Sequence, residues 1–343
     1  AAEQYLISGC VEAGLAVLGP LARELDLPFP ATNTGTVARL FVELGRLALH
    51  KAPQAPTQAS AIDPTDLLRL DICWFAAKGL GFIDPTRAAV FSTHGMRLAL
   101  ACGEPRRIAR ADAYLALIDI NGRDPVRADR ARTRLEASRR NALGLGDPYL
   151  SGLTTILSGV AALNGGRWRR ALADVDAGTA FLRANSVVGV TWERGIAASM
   201  AMHALMMLGD FSGLRARAEG MYREAEDTGD RFGAVVAMLY VAHATLAAGE
   251  PARARETARK AMSMWTYERF SFQRWLALGV EVACDLYEGR GEEAWRRVEA
   301  SWPALLRTQL TRMQVPRIDA HLLRANAALA AAARAPDPSP WLQ

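Results

Sequence analysis

The sequence predicts an all-α fold, an α-solenoid of stacked helical hairpins with repeats of about 40 residues. Three observations predict it. Half of the 343 residues are hydrophobic, and the chain is dominated by Ala, Leu, Arg and Glu, all good helix formers. Runs of β-branched and aromatic residues in strict alternation, the mark of a strand, are missing. Helical segments also recur at even spacing, joined by turns of shared chemistry.

The spacing organises the chain. The first helix of each pair, here called A, begins near Asp66, Pro105, Pro148, Val190, Arg231, Ser271 and Leu310, so the starts fall 39 to 43 residues apart. A second helix, B, follows each. The turns between them read Gly166-Arg167-Trp168, Gly209-Asp210-Phe211, Gly249-Glu250-Pro251 and Gly289-Arg290-Gly291. A glycine just past a helix enters the left-handed region that ends it. Pro251 suits a first helical position, where a missing N–H costs nothing. Asp84-Pro85, Glu104-Pro105 and Asp147-Pro148 carry the same start signal. Five residues beyond each turn glycine stands a core position of helix B: Ala171, Leu214, Ala254 or Ala294. Ala254, Ala258 and Ala261 continue that face at i, i+4 and i+7.

Three regions result. Residues 1–63 hold a hairpin turning at Gly9, a Pro-containing linker at 27–31, an amphipathic helix over 36–50 and a polar loop from Lys51. Residues 64–335 hold the repeats. Residues 336–343 form a tail or the start of a further helix, at Trp341. The chain opens without Met, directly in a helical pattern, which predicts a segment of a longer polypeptide. The uncharged stretches 148–166 and 232–249 fall short of the roughly 20 apolar residues of a membrane helix. They read as helices buried on both sides, so no membrane association is expected.

The glycine turns and the small residues after them resemble tetratricopeptide repeats, best at 161–171 and 244–261. The usual period of that family is 34 residues, so the resemblance is to its longer members. The order of segments also looks like the helical C-terminal region of large bacterial signalling proteins that join a serine/threonine kinase to an ATPase module. Residues 67–74 (LLRLDICW), Gly103-Glu104-Pro105, Gly166-Arg167-Trp168 and residues 293–298 (EAWRRV) carry that likeness. It implies a non-catalytic regulatory region, with any kinase or ATPase activity outside this segment.

The chain has a net charge of +5, and all but three of its 41 basic residues are arginine. The densest cluster, Arg127, Arg130, Arg132, Arg134, Arg139 and Arg140, is interleaved with Asp124, Asp129 and Glu136. That pattern reads as a solvated helix face rather than a nucleic-acid surface, which needs charge gathered on one side. Cys10, Cys73, Cys102 and Cys284 are far apart and read as free thiols in a reducing, cytoplasmic setting. No P-loop, nucleophile elbow, H-E-x-x-H motif or Cys/His metal spacing occurs. Neither a catalytic residue nor a metal or cofactor is predicted.

One constellation remains. His203 and His243 stand 40 residues apart, each six residues before its turn glycine, so they occupy equivalent positions in successive A helices. In tetratricopeptide folds A helices line a concave groove. By that resemblance Ser199, His203 and Met206 in one repeat, with Leu239, His243 and Leu246 in the next, would line a surface for an apolar peptide or helix. The competing reading makes the histidines packing residues between helices. The function predicted is thus a protein-interaction or sensory module, binding a peptide, a protein, or another domain of the same polypeptide. A self-associating scaffold is the alternative, and a small-ligand or enzymatic helical domain the third. Trp168, Trp295 and Trp302 read as wedges between repeats.

Overall fold

The computed structural model describes residues 2–50, 58–120, 124–308, 310–337 and 341; most of the loop expected from Lys51 and most of the tail expected after 336 lie outside them. Among the described residues the regular elements are α-helices and two short 3-10 turns, with no strand. Three helices come first: α1 (Ala2–Ile7), α2 (Val11–Glu24) and α3 (Asn33–Ala48). Hairpins follow: α4 (Pro64–Leu80) with α5 (Pro85–Cys102), α6 (Pro105–Ile120) with α7 (Pro125–Gly144), and α8 (Pro148–Asn164) with α9 (Trp168–Ala184). Then come α10 (Thr191–Leu208) with α11 (Phe211–Thr228), α12 (Arg231–Ala247) with α13 (Pro251–Met264), and α14 (Phe272–Tyr287) with α15 (Gly291–Arg307). The last A helix is α16 (Gln314–Ala332). Observed A helices start 40 to 43 residues apart.

Local chemistry sets these boundaries. Gly166, Gly209, Gly249 and Gly289 have φ of +70°, +73°, +85° and +72°, the left-handed region the turns require. The acid–proline pairs cap helices: Asp84 accepts the Arg87 N–H at 3.0 Å, Glu104 the Arg107 N–H at 2.8 Å and Asp147 the Leu150 N–H at 3.1 Å. The first A helix starts two residues before the Asp66 expected, because Asp63 caps Pro64 in the same way, accepting the Thr65 N–H. The last starts at Gln314 rather than Leu310, since Leu310–Arg312 form a 3-10 turn.

The chain divides into two compact units, Ala1–Ala201 and Met202–Gln343, the division falling inside α10. In unit 1, α1 packs on α4 and α3 on α5, so the N-terminal helices join the first hairpin. Leu6, Leu18, Ile72, Leu80 and Phe91 form its core there. Further along, α8 packs on α9 through glycines: a Cβ on Gly159 would lie 2.6 Å from the Val175 Cγ1 and 3.0 Å from the Ala171 carbonyl oxygen. In unit 2, α11 to α16 each pack on the next helix, and among the A helices α12 also packs on α14 and α14 on α16. Packing of each hairpin on the next is how a repeat hides its apolar face.

Ala171, Leu214, Ala254 and Ala294 are all fully buried, as are Ala258 and Ala261. Along α8 and α12 nearly every residue is buried, as the uncharged stretches predict. No helix among the described residues is long and apolar enough to cross a membrane. On α7 Arg130 and Arg140 are exposed, Arg132 pairs with Asp129 and Arg134 with Asp112; the side chain of Arg127 lies outside the description. Trp295 and Trp302 do wedge a helix pair: the Arg324 guanidinium of α16 lies over both rings, 5.4 and 4.7 Å from their centroids.

Candidate functional site

The A-helix face of unit 2 gathers the predicted histidines. His203 comes from the C-terminal half of α10 and is 5% exposed. The half-buried His243 comes from α12, one repeat on. A Cβ on Gly279 of α14 would stand 3.8 Å from the His243 Cε1 and Nε2, so a small residue there gives the ring its room. Asp319 of α16 completes the group, with Oδ2 3.8 Å from His203 Nε2. Tyr240 lies fully buried on α12.

Burial governs the electrostatics. It pushes the His203 imidazole down to about 4, helped by the neighbouring His243, and takes His243 itself to about 4. It raises the Asp319 carboxyl to about 6. Burial, and then the Asp319 charge, push the Tyr240 hydroxyl up. Near neutral pH the cluster therefore holds two neutral imidazoles beside one carboxylate.

The other four predicted residues fare differently. Leu239 is 0% and Leu246 9% exposed, so both are core side chains of α12 rather than groove surface. Helix α12 is covered nearly all round, which leaves no leucine of that stripe free. Ser199 is buried in unit 1, its hydroxyl donating to the Gly195 carbonyl at 2.9 Å. Met206 is half-buried. What remains reachable narrows to Met206 and the edge of His243. Sequence reasoning missed Asp319, which lies outside the 40-residue rhythm of the two histidines and carries no motif.

Unit 1 holds a second polar network among its A helices. The Lys78 ammonium of α4 is buried 3.2 Å from the Glu193 carboxylate of α10, with the Glu3 carboxylate at 3.4 Å. It lies 5.4 and 5.7 Å from the ring centroids of Trp74 and Trp192. Tyr149 of α8 donates to Glu193 Oε1 at 2.8 Å. Burial and the Glu193 charge push that hydroxyl well up, so it stays a donor. Beside Trp74, a narrow cleft between α4, α5 and α6 has an apolar floor including Leu70, Ala77 and Phe91. Arg107 and Arg110 at its rim are both engaged by Asp71. Among the described residues no three His, Cys, Asp or Glu side chains are placed to hold a metal ion.

No family model matches this chain, and no curated protein matches it. Among solved structures it is similar to a Signal Transduction ATPase with Numerous Domains from Pyrococcus horikoshii, a protein with a tetratricopeptide repeat sensor. The superposition has a TM-score of 0.46 at 12% identity, covering 82% of this chain and 44% of that one. The chain thus spans less than half the length of that protein.

Proposed function

We propose that this chain is a non-catalytic sensory or protein-interaction repeat module, and that the A-helix face of unit 2 receives a peptide or protein segment. One observation carries the reading: His203 and His243, equivalent positions one repeat apart, meet on that face with Asp319. A few polar groups set among buried apolar side chains suit an apolar segment that needs a small number of directed contacts. The segment can belong to another protein or to another domain of the same polypeptide, as the sequence resemblance to kinase–ATPase regulators implies. We place the module in the cytoplasm, where the free Cys10, Cys73, Cys102 and Cys284 stay reduced.

The test is selection of a phage-displayed peptide library at neutral pH on the wild-type chain and on Asp319→Ala. Recurrent peptides are expected on one or both. Their binding should weaken at least tenfold in Met206→Glu, which places a charge beside the histidines without touching the core. No reproducible enrichment on either protein, or peptides indifferent to position 206, would count against the reading.

A second reading, self-association, is favoured by α16. Ile318, Leu322 and Leu329 are 52%, 55% and 58% exposed and lie along one side of that helix at i, i+4 and i+11. Sedimentation velocity decides it: Leu322→Glu should abolish a concentration-dependent dimer, and a wild type monomeric throughout would exclude one.

A further inference from the structure

We propose that the A-helix face of unit 1 carries a binding site for a small organic cation bearing N–H groups, an alkylammonium or a guanidinium, built around Glu193 and the indoles of Trp74 and Trp192. An unfilled acceptor is the first support. The Glu193 side chain of α10 is 0% exposed. Its Oε1 takes the Lys78 ammonium at 3.2 Å and the Tyr149 hydroxyl at 2.8 Å. Its Oε2 is buried as well and receives no hydrogen bond from any described residue. A buried carboxylate oxygen left without a donor is destabilising, so a ligand that brings a donor gains what the chain leaves unmade.

Charge points the same way. Two carboxylates hold Lys78: Glu193 and, at 3.4 Å, Glu3 of α1. The neighbouring guanidiniums do not cover the excess, because Arg107 and Arg110 are matched by Asp71 and Glu104. Three cations thus face four carboxylates, and one further positive charge neutralises the group. A neutral donor would fill Oε2 and leave the charge unbalanced.

The walls suit a cation. Lys78 Nζ lies 5.4 and 5.7 Å from the ring centroids of Trp74 and Trp192, within the reach of a cation–π attraction. Tyr114 packs on both indoles, with centroids 5.4 and 6.2 Å away, so the three rings hold one another in place. Trp74, Tyr149 and Trp192 are half-buried, and Glu3 has 37% of its side chain exposed. Entry moves the Glu3 side chain aside, and the incoming cation meets a carboxylate on the way. A quaternary ammonium would answer the charge and the rings but has no N–H for Oε2. An ammonium or a guanidinium answers all three.

Isothermal titration calorimetry on the full chain at neutral pH tests the site. The probes are n-butylammonium and methylguanidinium, with 1-butanol as the uncharged analogue and tetramethylammonium as the cation without a donor. The two N–H cations should bind with a Kd of about 1 mM or tighter. Butanol should bind at least tenfold more weakly and tetramethylammonium at least fivefold. The Trp74 and Trp192 indole N–H signals should shift in NMR spectra of the saturated protein. Glu3→Gln, at a part-exposed position, should weaken butylammonium at least threefold. Glu193→Gln should abolish binding; if it does not fold, Lys78→Met with Glu193→Leu serves instead, with the same expectation. Butanol or tetramethylammonium binding as tightly as butylammonium, unchanged binding in the Glu193 variant, or no heat from either N–H cation at roughly 20 mM, well above that Kd, would overturn the site. It lies in unit 1, so none of these outcomes bears on peptide binding by unit 2.

Discussion

Glu193→Ala is expected to destabilise unit 1 by about 3–5 kcal/mol, the range for removing one partner of a buried ion pair. Glu193 is 0% exposed and Lys78 4%. The variant would leave an ammonium between Trp74 and Trp192, with only the part-exposed Glu3 as counter-charge. It would also strand the Tyr149 hydroxyl, which donates to the same oxygen. The two rings soften the loss, since a desolvated cation over an aromatic face gains about 2 kcal/mol, but they cannot replace a carboxylate. Urea denaturation followed by tryptophan fluorescence measures the effect, and a melting shift of about 10 °C should accompany it. Lys78→Met combined with Glu193→Leu should recover most of the loss, because a well-packed apolar pair often matches a buried ionic one. A single-variant loss below about 1 kcal/mol would show that water reaches the pair.

This network marks where the sequence stopped being legible. The hairpins were readable because their signals are local: a glycine that must turn left-handed at 166, 209, 249 and 289, and an acid before a proline at 84, 104 and 147. The same signal at Asp63-Pro64 was present and overlooked. Burial around the whole of α8 and α12 followed from their lack of charge. Lys78 and Glu193 are 115 residues apart, and nothing in either neighbourhood points to the other. Partners of that kind are fixed by how A helices stack, which a periodic pattern gives only as a rhythm. The same limit explains the candidate site. Periodicity found His203 and His243 as equivalents and placed them on the A-helix face. It could not separate a face lined with accessible leucines from one in which Leu239 and Leu246 are core, because both satisfy the same spacing. Asp174, which no local signal marks as inward-facing, is nearly buried against Arg170 one helical turn away.

Asp285→Ala should cost unit 2 a similar amount, about 3–5 kcal/mol. Its carboxylate sits on α14 with 2% of the side chain exposed. It holds Arg255 of α13, Arg290 of the turn and Arg297 of α15, each at 2.9 Å. Burial alone would raise its pKa, but hydrogen bonds from Arg290, Arg297 and Arg255 outweigh it and keep the carboxyl below its ordinary 3.8. The stability it contributes is therefore present above 3.8 and lost as pH falls below that value. The alanine variant should lose that part of the acid limb and be weaker throughout the neutral range. Removing the carboxylate leaves three guanidiniums to share Glu281 and Glu288, which are more exposed and already paired with Arg255. Asp285→Asn, which keeps an acceptor of the same shape but no charge, should cost less. The location predicts how the damage spreads. Asp285 ties one hairpin to the B helix before it, and in a stack where a hairpin packs chiefly on its neighbours, a broken tie loosens both sides. Hydrogen exchange should rise across α13 to α15 and leave the α4 to α8 amides unchanged. Uniform loss of protection through the whole chain would mean that the repeats unfold as one block, and the neighbour-by-neighbour account of this fold would fail.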